Sequence, residues 1–135
     1  MLVLDSSATL AWSLDDEQAF APRLLAEVTA TETAIVPVHW LLEVANGLRM
    51  AVRRRRLAPD EPEQVLARIR QQPIVIDPET IARAWSEIPL LAHQYGLTVY
   101  DAAYLELALR LDAPLATLDQ DLARAARAAK VRLFS

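Results

Sequence analysis

The sequence contains no cysteine. That absence removes disulfide stapling, thiolate zinc sites and cysteine nucleophiles together, and it fits a reducing compartment. Histidine occurs twice, at His39 and His93, so neither a zinc site nor a Ser-His-Asp triad has enough material. Glycine also occurs twice, and Gly47 and Gly96 stand too far apart to form a phosphate-cradling loop, which leaves P-loop and Rossmann nucleotide binding unsupported. Lysine occurs once, at Lys130; the other basic residues are arginine. No apolar run is long enough to span a bilayer, because Asp5 interrupts the stretch from Met1 to Leu14, and that stretch carries no basic leader. The expectation is a cytoplasmic protein without a membrane segment.

What is present is globular in composition. The 135 residues are 53% hydrophobic and 24% charged, which excludes disorder as the default and suffices for one domain, residues 1–135, with a real core. A net charge of −4 argues against bulk electrostatic attraction to nucleic acid, so any RNA contact must be local or helped by bound cations. The basic residues cluster in one place, the run Arg53-Arg54-Arg55-Arg56.

Short apolar runs alternate with helical periodicity. Leu2-Val3-Leu4, Ala34-Ile35-Val36, Ile74-Val75-Ile76, Leu115-Ala116 and Val131-Arg132-Leu133 read as five strands buried on both faces. Between them the spacing predicts helices over Asp16 to Ala30, His39 to Arg56, Pro62 to Arg70, Pro78 to Tyr95, Val99 to Leu111 and Asp119 to Ala129. In the fourth, Asp77 and Pro78 suit a helix start, Gly96 suits its end, and Pro89 should kink it. Strands separated by helices need crossovers, so the expected architecture is α/β: a mostly parallel sheet with helices on both faces. Ligands in such sheets bind beyond the carboxyl ends of the strands, where the strand order reverses.

Four acids can reach that edge. Asp5 follows the first strand, Glu43 lies one turn into the helix after the second, Asp101 opens the fifth helix, and Asp119 follows the fourth strand. Each has a plain alternative: Asp5 and Asp119 as helix N-caps, Asp101 as the partner of Thr98 in a capping box. Glu43, within Trp40-Leu41-Leu42-Glu43-Val44-Ala45, is harder to explain that way, because burying a carboxylate there is costly unless something pairs with it. Gathered together the four would repel by roughly 4 kcal/mol per pair at about 4 Å, and a hard divalent cation, Mg²⁺ or Mn²⁺, offers the compensation. Bound metal at such a site serves phosphodiester hydrolysis, a nuclease chemistry without histidine.

Those residues sit in recognisable motifs. Val3-Leu4-Asp5-Ser6-Ser7, Glu43-Val44-Ala45-Asn46, Tyr100-Asp101-Ala102-Ala103-Tyr104 and Ala116-Thr117-Leu118-Asp119 resemble, in order and spacing, the four acidic motifs of PIN-domain ribonucleases of the VapC-toxin kind. The resemblance covers essentially the whole chain. It implies a three-layer αβα PIN-like fold, endoribonuclease activity on single-stranded RNA with Mg²⁺ or Mn²⁺, homodimers, and a VapB-like antitoxin that occupies the active site. Carried over by position, it makes Asp5, Asp101 and Asp119 metal ligands and Glu43 a supporting ligand or base. Asn46, Thr117 and Ser6 become polar supports, and Asp121 competes with Asp119 to face the metal.

Other features say less. Arg53, Arg54, Arg55 and Arg56 suit RNA phosphates, but also the negative end of a helix dipole or plain solvated surface. His39 and His93 read as structural, and Trp12, Trp40 and Trp85 as core or interface aromatics. Three other readings stand beside the toxin: a housekeeping RNA-processing nuclease, a catalytically silent binding module of the same fold, and a phosphoacceptor receiver domain. For the receiver, Asp77 and Lys130 give partial matches.

Overall fold

β1 (Leu2–Leu4) is wholly apolar and wholly buried, as a strand must be when hydrogen-bonded on both edges and covered on both faces. In this computed structural model, which describes residues 1–14, 20–31 and 33–134, β1 pairs in parallel with β2 (Ala34–Val36) on one side and β4 (Leu115–Ala116) on the other. β2 in turn pairs in parallel with β3 (Ile74–Ile76), giving the order β3-β2-β1-β4. Leu2 lies opposite Ala34, Val3 opposite Leu115, and Leu4 opposite Ala116. The chain steps outward from β1 to β3 and then returns to the far side of β1, so the order reverses between β1 and β4.

Parallel neighbours require crossovers, and the helices supply them. α1 (Ser6–Leu14) and α2 (Phe20–Thr31) lead from β1 to β2, and α3 (Trp40–Arg53) and α4 (Glu61–Arg70) lead from β2 to β3. α5 (Thr80–Arg83), α6 (Glu87–Tyr95) and α7 (Val99–Leu111) lead back to β4, and α8 (Gln120–Ala128) follows it. Right-handed crossovers put the outward and the return helices on opposite faces, which makes the three-layer αβα fold. α1 packs on α3, while α7 packs on β1, β4, α6 and α8. α7 is buried continuously from Ala102 to Ala108, as a helix apolar on nearly all sides must be.

Several boundaries differ from the expectations, each for a local reason. The helix expected from Asp16 is preceded by one that the periodicity did not reveal, α1, whose backbone starts at Asp5; residues 16–19 lie outside the described residues. The helix expected over Pro78 to Tyr95 is two. The chain breaks at Ser86 (φ −125, ψ −96), and Pro89 stands in the first turn of α6, where no backbone N–H is missed, so it kinks nothing. Gly96 ends α6 in the left-handed conformation (φ 66), as expected. Val131-Arg132-Leu133 is no fifth strand: Leu133 makes a single parallel bridge to Leu115, because two-residue β4 offers no longer edge. β3 is half exposed rather than buried on both faces, being the edge strand. Gly47 lies inside α3 where it crosses α1, and a Cβ there would force the end of the Leu10 side chain to shift.

Beneath α7 runs an ionic network. Arg110 donates to Asp77 (2.7 Å) and Glu106 (2.8 Å) and reaches Glu79 (3.3 Å), while Arg83 Nε lies 3.4 Å from Glu106. Asp77 and Glu106 are buried, so both depend on these cations. Arg110→Ala is expected to destabilise the protein by about 3 kcal/mol, read as a lower urea midpoint, because it strands two buried carboxylates. A midpoint within error of wild type would show that the network contributes nothing.

Candidate metal centre

The four acids meet the same structural circumstance: each stands at, or in the first turn of, a helix that begins at the carboxyl edge of the sheet. Asp5 caps α1, its Oδ1 accepting from Ala8 N–H at 2.8 Å. Asp119 caps α8, accepting from Leu122 N–H at 2.8 Å. Asp101 lies in the first turn of α7, its own N–H donating to the N-cap Thr98 at 3.1 Å, and Glu43 lies in the first turn of α3. The positive ends of four helix dipoles therefore surround the carboxylates. The capping roles of Asp5 and Asp119 are real, and the charges of Asp119 and Glu43 both act on Asp101.

Asp5 is buried, at 3% exposure. Ser7 Oγ donates to it at 2.8 Å, and Thr117 Oγ1 makes a short hydrogen bond to Oδ2. Burial pushes its carboxyl up to about 6 despite those bonds, with the Asp101 charge adding to the rise. Asp101 is half-buried and also pushed up to about 6, first by burial and then by the charges of Asp119, Glu43 and Asp121. The acids thus sense one another electrostatically, and among the described residues no Lys or Arg pairs with Asp5, Asp101 or Asp119.

Thr117 and Ser7 lace this region together. Thr117 Oγ1 donates to Asp5 and accepts from Asp119 N–H at 3.0 Å, while Ser7 Oγ accepts from Leu118 N–H at 2.9 Å. Ser7, rather than the expected Ser6, supports Asp5; Ser6 bonds the Tyr104 hydroxyl instead. Asn46 is exposed, one turn along α3 from Glu43. Asp121 is exposed and pairs with Arg124 at 3.0 Å, while its charge, like that of Asp119, acts on Asp101. Arg53 to Arg56 close α3 at its far end, about 16 Å along the axis from Glu43.

Two further residues stand at the site: Tyr104, quoted in a motif without a role, and His39, read as structural. Tyr104, buried in α7, donates its hydroxyl to Glu43 Oε1 at 2.6 Å, spanning the edge of the sheet. His39 donates Nε2–H to Tyr100 O at 3.0 Å and lies 3.5 Å from Glu43 Oε1; burial lowers its pKa, with the Glu43 charge opposing. The i, i+4 spacing of His39 with Glu43 and the i, i+3 spacing of Asp101 with Tyr104 were the available signals. The receiver reading loses its Asp77: burial would raise that carboxyl, but hydrogen bonds from Arg110 and Thr80 and the Arg110 charge hold it below its ordinary range.

The PIN domain family model matches residues 2–128. This chain belongs to the PIN domain family. It is 32% identical over 123 residues to Ribonuclease VapC3 of Pyrobaculum aerophilum, covering 90% of this chain and 92% of that protein. It is 34% identical over 121 residues to Ribonuclease VapC9 of Mycobacterium tuberculosis, covering 88% and 86%. Its fold is similar to the crystal structure of PAE2754 from Pyrobaculum aerophilum, with a TM-score of 0.69 at 22% identity over 92% of this chain and 78% of that one. It is also similar to that of FitAcB from Neisseria gonorrhoeae, with a TM-score of 0.60 at 18% identity over 100% and 97%.

The donor set is hard oxygen, which suits Mg²⁺ or Mn²⁺. Among the described residues no three Asp, Glu or His side chains close into a cage that would hold an ion by themselves. A hard cation placed here would be held by few carboxylates, with water completing the rest of its shell.

Asp101 gives a test of the electrostatics that does not involve catalysis. Its folded pKa of about 6 lies above the ordinary 3.8, so its ionisation favours the unfolded chain, and stability is lost as pH rises from about 4 through about 6. With metal chelated, Asp101→Asn is expected to be more stable than wild type at pH 7.5 by on the order of 1 kcal/mol, allowing for solvent screening of a half-buried group. The difference vanishes near pH 4. Urea curves at both pH values check this, and an equal offset at both would refute it.

Proposed function

We propose that this protein is an Mg²⁺- or Mn²⁺-dependent endoribonuclease that acts as the toxin of a toxin–antitoxin pair in the cytoplasm. One observation carries the reading: four carboxylates stand at or just inside four helix starts at the carboxyl edge of the sheet, where the strand order reverses, and two of them are pushed up to about 6 by burial and by neighbouring acids. Identity of about a third to ribonucleases named VapC, over nearly the whole chain, supports the same conclusion.

In this reading Asp5, Asp101 and Asp119 hold the metal, which when bound supplies positive charge against the scissile phosphate. Thr117 and Ser7 fix the rotamer of Asp5, and Thr117 also ties Asp119 into the same frame. Tyr104 fixes Glu43, which takes up the proton of the attacking water. Asn46 and Ser6 line the approach, and the arginines at Arg53, Arg54, Arg55 and Arg56 serve phosphates remote from the cut. Asp5→Asn and Asp101→Asn are each expected to lower cleavage of single-stranded RNA at least a hundredfold with the fold intact by circular dichroism, and EDTA is expected to abolish wild-type cleavage. Cleavage at near wild-type rate by either variant, or in EDTA, would refute the metal centre; a protein that never cleaves would be a silent binding module.

The partners follow from the same charge. An antitoxin that covers an acidic groove does so most simply with an Arg or Lys placed among the carboxylates, and the toxin works as a homodimer. Induced expression in a bacterial host, with and without the adjacent small gene, tests this. Wild type alone is expected to arrest growth, with relief by the neighbour or by Asp101→Asn. Equal growth in every arm at matched protein levels would instead indicate a housekeeping RNA-processing nuclease.

A further inference from the structure

His39 stands at the acidic region but takes no part in the reading above, and its side chain joins two helix starts that rest on different neighbours. α3 packs chiefly on α1, and α7 chiefly on α6. Those packings set the distance between Glu43, in the first turn of α3, and Asp101, in the first turn of α7, only through intervening elements. Carboxylates that serve one cation need that distance held, because loose ligands must first be ordered at the expense of affinity.

His39 spans the gap. Its backbone carbonyl opens α3, accepting from Glu43 N–H at 3.0 Å, while its side chain makes no cap bond to that helix and crosses to α7. There Nε2–H donates to Tyr100 O at 3.0 Å, and Asp101 N–H donates to Thr98 Oγ1 at 3.1 Å. Those two atoms belong to one peptide group, so the rigid plane from which Asp101 departs is held at both ends. The same His39 nitrogen lies 3.5 Å from Glu43 Oε1, the oxygen that accepts the Tyr104 hydroxyl at 2.6 Å. The ring is itself fixed, its centroid 5.0 Å from that of Tyr104 and 5.9 Å from that of Tyr100. Nε2 is no base in this arrangement, because a ring nitrogen that donates to a carbonyl carries a proton and has no lone pair left in the plane. Its contribution is placement.

We infer that His39 is a positioning residue, which locks the Tyr100–Asp101 peptide group to the start of α3 and so holds Asp101 and Glu43 at a fixed separation. The inference rests on the metal-dependent ribonuclease reading for what those acids do. It is read by Mn²⁺ affinity as well as by cleavage, so the two fail separately.

The experiment compares wild type with His39→Phe, His39→Asn and His39→Gln in the full chain. Phenylalanine keeps a packed ring and removes the donor, asparagine carries an amide too short to reach Tyr100 O, and glutamine puts an amide N–H near the place of Nε2. Mn²⁺ affinity is measured by calorimetry without RNA, and kcat and KM on a single-stranded oligoribonucleotide. His39→Phe and His39→Asn are each expected to weaken Mn²⁺ binding about tenfold and to lower kcat by a similar factor, with KM unchanged. His39→Gln is expected to recover both to within about threefold of wild type. Urea midpoints report folding, and His39→Asn decides the matter if His39→Phe does not fold. Wild type that binds Mn²⁺ but cleaves no RNA would defeat the ribonuclease reading, and the Mn²⁺ affinities of the variants would then decide the inference alone. Unchanged Mn²⁺ affinity in folded His39→Asn, equal losses in His39→Gln and His39→Asn, or a wild type that binds no Mn²⁺ would overturn it. So would a lower urea midpoint with Mn²⁺ affinity and kcat unchanged, which would make His39 a residue of the fold alone.

Discussion

Everything at the carboxyl edge depends on the parallel pairing of β1 with both neighbours. A central strand bonded in parallel on both sides cannot be reached by hairpins, so every connection is a crossover, and every crossover helix that follows a strand starts at the same edge. α1, α3 and α8 begin there directly, and α7 arrives by way of α5 and α6. The sheet needs only two or three residues per strand to impose this, because β1, β2 and β4 are locked by apolar burial and not by length.

Helix starts need acceptors for their free N–H groups and favour negative charge. Asp5 and Asp119 meet that need as caps, and the same two side chains face the region where metal and phosphate would sit. Capping and catalysis are therefore not rival explanations of these residues. The cost falls on Asp5 and Asp101, which burial and neighbouring charge hold in a less favourable ionised state than carboxylates in water. Serine, threonine and tyrosine hydroxyls hold the acids in place without neutralising them, so the charge stays available to a cation.

A different treatment of charge operates beneath α7. Asp77 and Glu106 are buried too, yet Arg110 and Arg83 compensate them. Two acidic groups in one small protein are thus distinguished by their partners: arginines pair with one, hydroxyls hold the other.

The sequence by itself determined the alternation of apolar runs with helical periodicity, and hence the parallel sheet, four of its strands, and the four acids with their motifs. Those signals are local: a run of aliphatic residues, or an acid at a fixed distance after it, is readable without knowing what packs against it. What only the tertiary structure decided is non-local. α1 was hidden because Ser6 to Leu14 shows weak amphipathic patterning, and the split at Ser86 because a turn within a periodic segment leaves the spacing intact. Val131 to Leu133 reads as a strand, but β4 is too short to pair with it. Ser7 and Thr117 about Asp5, and Tyr104 and His39 beside Glu43, all depend on which elements cross the edge of the sheet. Residues 61 and 112 positions apart are joined in those contacts, and no local pattern in the chain records a distance of that kind.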